Sequence, residues 1–276
     1  MKILALVMHT FRETAAKATL WVLAGISTLI LLVVAFGLST ASSGDGITLM
    51  LFGNASTPPL DQAQLQHAVA AMEAGLAGGL MLGVFLFGLF ATAGIIPEAL
   101  EKGIVDLYLS KPIARWELLA GKSLGAVAVV LANIVYFIGA LWLLVGIKAG
   151  VWDVQILSTT LLLTFVFACL YSIVSFFAVL SRNMGLAIIA AFLYLFIIAA
   201  ALESRAHGLY MISANTVYRG VIDGLYYIMP QISNMQHQIT AVILKQEVDW
   251  RPFAQSLASS CAIFAAAAAL LQRKDF

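Results

Sequence analysis

Charge is what this sequence has least of. Charged residues make up 11% of its 276 positions, while 62% are hydrophobic. Soluble domains run near half apolar and a quarter charged. With a mean hydropathy of +0.98, the chain reads as an integral membrane protein. A net charge of +1 leaves no basic field to attract nucleic acid. There are two cysteines, Cys169 and Cys261, with no CxxC spacing. That excludes a disulfide framework or a zinc site, and both thiols read as buried and inert within apolar stretches. The four histidines, His9, His67, His207 and His237, all fall outside the apolar spans. No HExxH or paired-carboxylate site is therefore expected at membrane depth. His67, His207 and His237 read as solvated loop residues.

Against that background the apolar runs stand out. Residues 1–19, MKILALVMHTFRETAAKAT, alternate apolar Ile3, Leu4, Leu6, Val7, Met8 and Phe11 with Lys2, His9, Arg12, Glu13 and Lys17. The pattern predicts a helix along the membrane surface, apolar side down. A signal peptide is the rival reading. It fails because residues 18–44 run uncharged far beyond a signal core of about 7–15 residues. Six spans are expected, at 20–38, 74–96, 123–147, 154–180, 186–202 and 253–271, each near the length that crosses the hydrocarbon. Residues 41–73 read as a polar connection. In the second span Gly75, Gly79 and Gly83 recur on one helix face, a spacing that lets membrane helices approach closely within one subunit or between two. Phe85, Phe87 and Phe90 read as lipid-facing or core residues.

Lys and Arg in the loops give the sidedness. With the N-terminus in the cytoplasm, that side holds ten cations: Lys2, Arg12, Lys17, Lys102, Lys111, Arg115, Lys122, Arg182, Arg273 and Lys274. The other side holds five: Lys148, Arg205, Arg219, Lys245 and Arg251. Both termini are therefore expected in the cytoplasm. The outer stretch 203–252 contains the uncharged run 224–244, long enough for a seventh span. Pro230, Gln231, Asn234, Gln236, His237 and Gln238 in its middle predict instead short helices at the outer surface, dipping in and breaking at Pro230.

None of the six expected spans contains Asp, Glu, Lys, Arg or His. Ion- and proton-coupled carriers keep such residues at depth, so the sequence argues against a self-powered carrier. Gly121-Lys122-Ser123 looks like the end of a phosphate-binding loop. The first glycine of that motif would fall on Trp116, and no strand precedes it. Lys122 is expected instead as an interfacial charge at the start of the third span. Energy must then arrive from another chain through a cytoplasmic contact. The segment at 97–122, PEALEKGIVDLYLSKPIARWELLAGK, is the expected cytoplasmic loop long enough to make one. Pro97 opens a short helix and Gly103 breaks it. Ile104, Leu107 and Tyr108 share a helical face, and Lys111-Pro112 forces a turn. From spacing alone, a solvated loop is an equal reading.

The order of glutamates, a glycine, a short apolar helix, Ser-x-Pro-x-x-Arg and Gly-Lys resembles the ABC-2 type permeases, membrane subunits of ABC transporters. It is carried by Glu98, Glu101, Gly103, Asp106, Leu107, Leu109, Ser110, Pro112, Arg115, Glu117, Leu118, Gly121 and Lys122. Where the family often has Thr after this glycine, the chain has Ile104. The six spans, the long outer stretch and the closing Arg273-Lys274-Asp275-Phe276 also resemble that family. The resemblance implies an all-α fold and a single transmembrane domain over 1–276. Residues 1–19, with Arg12 and Glu13, would form an elbow helix. A coupling helix within 97–122 would contact an ATPase subunit through Glu98, Glu101, Gly103, Asp106, Leu107, Ser110, Lys111, Pro112 and Arg115. It also implies export, a permease dimer, two copies of a separate ABC ATPase that bind ATP and Mg, and a bacterial cytoplasmic (inner) membrane. No cofactor or metal would lie in this chain itself. The alternatives are a non-transporting membrane assembly or sensor protein, and an intramembrane enzyme built on Ser172 and Ser175. Scattered Asn133, Tyr136, Thr164, Tyr171 and Tyr194 in apolar spans would suit an amphipathic or lipid-like cargo.

Overall fold

The computed structural model of the chain describes residues 2–43, 46–55, 60–101, 103–104, 113–205, 209–212 and 215–274. Long apolar helices dominate. They are α1 (Lys2–Ala16), α2 (Ala18–Gly37), α3 (Gln62–Thr92), the short α4 (Ile95–Ala99), α5 (Arg115–Ala149), α6 (Gln155–Ser181), α7 (Met184–Glu203), α8 (Leu209–Ile212), α9 (Thr216–Ile228), α10 (Ile232–Ile243) and α11 (Arg251–Arg273). Within α7, Leu193–Ile198 form a π turn.

Among the described residues five helices are long and apolar enough to cross a membrane: Leu20–Gly37 of α2, then α5, α6, α7 and α11. The chain is thus a multi-pass helical membrane protein, with an apolar outer surface that includes Trp21, Leu29, Phe36, Leu161 and Ile189. The second expected span, 74–96, falls on α3 but differs from the expectation. That helix begins at Gln62, twelve residues early, because Asp61 caps it: its carboxylate accepts from the Gln62 N–H at 2.7 Å, and Gln64 reaches back to the Asp61 N–H at 3.0 Å. It stops at Thr92, and after a turn the chain continues into α4.

The fold is mostly helical, as expected, but the expected all-helix account misses one small sheet. Residues expected as a polar connection form a three-stranded antiparallel sheet, β1 (Leu38–Ser43), β2 (Gly46–Leu51) and β3 (Asn54–Ala55), with Leu38 opposite Leu51 and Met50 opposite Ala55. Phe52 and Gly53 turn the chain between β2 and β3 at φ 52° and 80°, the two positive values that match strand twist in a tight hairpin. The Phe52 ring lies over Gly37, where a Cβ would come within 2.9 Å of it.

The core lies between α3, α5, α6, α10 and α11. Phe85, Phe137, Phe167 and Tyr171 are fully buried there. The Tyr171 hydroxyl donates to the Thr92 carbonyl at 2.9 Å, so the end of α3 is fastened to the middle of α6.

The stretch after α7 breaks at Pro230 as expected, but α10 packs into the bundle and does not lie on its surface. Ile232, Met235, Ile239 and Ile243 are buried, and the helix packs on α6 and α3. The break itself is inside the bundle. Tyr194, in the π turn of α7, donates its hydroxyl to the Pro230 carbonyl, and the Gln231 N–H donates to Ser256 Oγ at 2.8 Å. Irregular backbone survives in such a place because neighbouring helices satisfy its polar groups.

Candidate functional site

The site is built where α1 and α4 meet the start of α5 and the ends of α6 and α11. α1 carries His9 and Glu13, and Lys17 follows just past its end, the three at four-residue spacing in a ladder of charges. Leu4 and Met8 are exposed, while Leu6, Thr10 and Thr14 are buried against α5. The partner surface on α5 is two glycines one turn apart. A Cβ on Gly121 would come 2.5 Å from that of Leu6, and one on Gly125 would come 2.6 Å from that of Thr10. Small residues at this spacing let the two helix backbones touch.

Lys122 follows from the same contact. α5 begins at Arg115, so Lys122 is in its second turn and turns inward against α1. It is 4% exposed, and its Nζ donates to Glu13 Oε2 at 2.9 Å. Burial pushes the Glu13 carboxyl up, but the Lys122 hydrogen bond and charge, with Lys17 and His9, hold it below the usual carboxylate range. Gly121-Lys122-Ser123 is therefore helix interior, a seat for α1.

Lys17 completes the bridge to the segment at 97–122. Its Nζ lies 2.5 Å from Glu98 Oε2 at the end of α4 and 3.7 Å from Glu13 Oε1. The Glu98 hydrogen bond, against a smaller effect of burial, raises the Lys17 ammonium above its ordinary value. Glu101 is exposed, and Gly103, at φ 93°, occupies the left-handed backbone that glycine favours. The Glu117 carboxylate accepts from the Ala114 N–H at 2.8 Å and lies 3.9 Å from Lys2 Nζ. The Arg115 guanidinium donates to the carbonyls of Leu271 and Gln272, at 3.3 Å each, and to that of Lys274. The Lys274 ammonium in turn donates to Val179 and Leu180 at 2.6 and 2.8 Å.

Of the sequence-predicted contact residues, Glu98, Gly103 and Arg115 are thus on this end, as is Glu13, with Glu101 beside them. Arg12 is exposed on α1. Asp106, Leu107, Ser110, Lys111 and Pro112 lie outside the described residues. Lys17, Lys122, Glu117 and Lys274 appear in the sequence reading only as loop cations or as part of the resemblance, not as residues of a contact site. The four-residue ladder running off α1 was the signal that could have found Lys17. Gly75, Gly79 and Gly83 are elsewhere, along α3, and a Cβ on any of them would meet nothing within 4 Å.

Against known proteins, no family model matches this chain and no curated sequence does. What the site can do must be read from its chemistry. Among the described residues no cluster of three His, Cys, Asp or Glu side chains could hold a metal ion. The Ser172 and Ser175 hydroxyls are taken up by the helix carbonyls of Cys169 and Tyr171, at 2.7 and 2.8 Å. Two clefts lie among the membrane-length helices. One of about 420 Å³ between α5, α6 and α11 is lined by Leu124, Phe165 and Phe264 with Ser123, Ser172 and Ser260. The other, of about 610 Å³, is lined by Phe176, Phe177, Leu186, Ile189 and Leu193. Both have the size and apolar lining of small-molecule sites.

Proposed function

We propose that the chain is the membrane-spanning permease subunit of an ABC transporter of the ABC-2 type, an exporter driven by separate ATPase subunits. One observation carries this reading: the segment at 97–122 is fastened at both flanks to other helices. Glu98 holds Lys17 before it. After it, Arg115 holds the end of α11, and Lys122 holds Glu13 of α1. A force on that segment would reach α1, α5 and α11 together. A merely solvated loop has no use for such anchorage.

In this reading residues 1–19 act as the elbow helix and the ATPase docks on 97–122. Both termini are cytoplasmic, and two copies of the chain form the pathway. The uncovered glycine face of α3 supports a second subunit approaching there. The apolar clefts with serine hydroxyls support an amphipathic or lipid-like cargo.

The deciding experiment is to look for a Walker-motif ATPase gene beside that of this chain and to co-purify the full chain with its product. A stable complex is expected. Asp106→Ala with Leu107→Ala should lower transport-linked ATP hydrolysis by about fivefold or more, the lower end of ordinary coupling energies. No stable complex, or unchanged hydrolysis in the double variant, would refute the reading.

A further inference from the structure

Glu73, expected at the end of the polar connection before the second span, is instead inside α3 and buried. It lies in the first half of α3, ahead of the apolar stretch, at the end of the bundle opposite the site above. Glu73 is 1% exposed, and neither carboxylate oxygen has a hydrogen-bond partner among the described residues. A buried carboxylate in that condition is costly in its ionised form, and a proton removes the cost.

The elements packed around α3 bring little countercharge. α2, β2 and α6 contain no Asp, Glu, Lys, Arg or His. On α5, Lys148 at this end donates to the carbonyls of Ala35 and Leu38. On α10, His237 is 2.9 Å from Glu203. The charges that act on Glu73 are Asp153, in the turn between α5 and α6, and Lys245, just past α10. These two pair with each other, Lys245 Nζ to Asp153 Oδ2 at 3.2 Å, with the Asp153 side chain 10% exposed.

Lys245 is itself in an unusual place. It closes α10 at φ 57°, and the Gln246 N–H returns to the Ala241 carbonyl at 2.9 Å. Glycine is the usual residue at this capping position. A long cation held there, against backbone preference, points to a use for its ammonium.

We propose that Glu73 is a proton-binding site, and that release of its proton to water draws Lys245 from Asp153 toward Glu73. Lys245 keeps its own proton throughout. The turn between α5 and α6 and the end of α10 are thus held one way when Glu73 is protonated and another when it is not. Burial pushes the Glu73 carboxyl up to about 7, Asp153 adds to the rise, and Lys245 opposes it. The proton is therefore exchanged near neutral pH. The inference does not rest on the transport reading, and its failure would leave that reading intact.

The test uses the full chain in lipid nanodiscs and dicyclohexylcarbodiimide, which adds the O–H of a protonated carboxyl in an apolar setting across its C=N bond. Labelling at Glu73 is followed by peptide mass spectrometry over a pH series. The expected result is labelling that falls with a midpoint near 7. Asp153→Asn should move the midpoint down, by removing a repulsion and freeing Lys245. Lys245→Met should move it up. A midpoint in the ordinary carboxylate range, or no label at any pH, overturns the proton site on the wild-type chain alone. A midpoint unmoved in both variants overturns the link to the ion pair.

Discussion

At the scale of single residues, the Glu13–Lys122 pair is where removal of a few atoms matters most. Lys122 is the more buried partner, so removing the carboxylate leaves the harder charge to accommodate. Breaking a buried pair by deleting one partner costs about 3–5 kcal/mol. Glu13 is partly solvated, with its side chain 36% exposed, which lowers the figure. Glu13→Gln is expected to destabilise the chain by about 2 kcal/mol, read as a lower thermal midpoint in detergent. The pH dependence has a definite sign. The folded-state carboxyl of Glu13 lies below its ordinary 4.5, so its contribution is present above that value and is lost as pH falls through the lower folded one. The wild-type midpoint should drop on acidification below about 4.5, and the drop should shrink in Glu13→Gln. An equal acid response in both chains would show that the pair does not matter to stability.

At the scale of elements, α1 is held by the absence of side chains on its partner. Gly125→Val would place a branched side chain where even a Cβ is 2.6 Å from Thr10. The helix must move away or the substitution must be rejected, and overpacking of this kind costs about 1–3 kcal/mol. The expected outcome is faster proteolysis within residues 12–17 in detergent, with the remaining helices still folded by circular dichroism. The glycines of α3 predict the reverse. Gly79→Leu meets nothing within the chain, so thermal stability of the monomer should be kept. If a second subunit approaches that face, the dimer fraction in nanodiscs, counted by mass photometry, should fall. An unchanged dimer fraction removes α3 from the interface.

The same elements show what was legible in the sequence. The long apolar runs were, because an uncharged stretch as long as a membrane crossing leaves a helix with no polar face to turn to water. The break at Pro230 was too, since its flanking amides cannot face lipid. The sheet over 38–55 was not: its strands are short, the residues of β1 are mostly small and polar, and its hairpin turns on Phe52-Gly53 instead of an Asn-Gly pair. The early start of α3 was written in Asp61 and Gln64, a capping signature hidden within a stretch read as loop. The burial of Lys122 and of Glu73 was hidden for one reason. A charge beside an apolar run was taken to mark its edge, and whether a helix continues past it depends on what packs there. Gly121 and Gly125 admit α1 over Lys122, and nothing local to Glu73 shows that α10 covers α3.

At the scale of the whole molecule, the ion pairs sort the chain into two ends. One end collects α1, α4, the start of α5, the end of α6 and the end of α11 through Lys17–Glu98, Lys122–Glu13, Arg115 to the carbonyls at 271–274, and Lys274 to those at 179–180. The other end collects the sheet, the turn between α5 and α6, and the stretch after α7 through Lys148 to Leu38, Lys245–Asp153 and Arg205–Asp223. Each Lys and Arg named at these two ends falls on the side that the loop-charge count gives it, so a single measurement of sidedness orients both ends. Cys261 is exposed and Cys169 buried, so a Cys261→Ser background silences the accessible thiol. In that background, Glu101→Cys and Asn54→Cys place thiols at exposed positions on the two ends. A membrane-impermeant maleimide added to intact cells should label position 54 and spare position 101, and breaking the cells open should expose 101. Labelling at 101 from outside would put the segment at 97–122 beyond the reach of any cytoplasmic ATPase. No energy source for transport would then remain on that side, and the permease reading would fall with it.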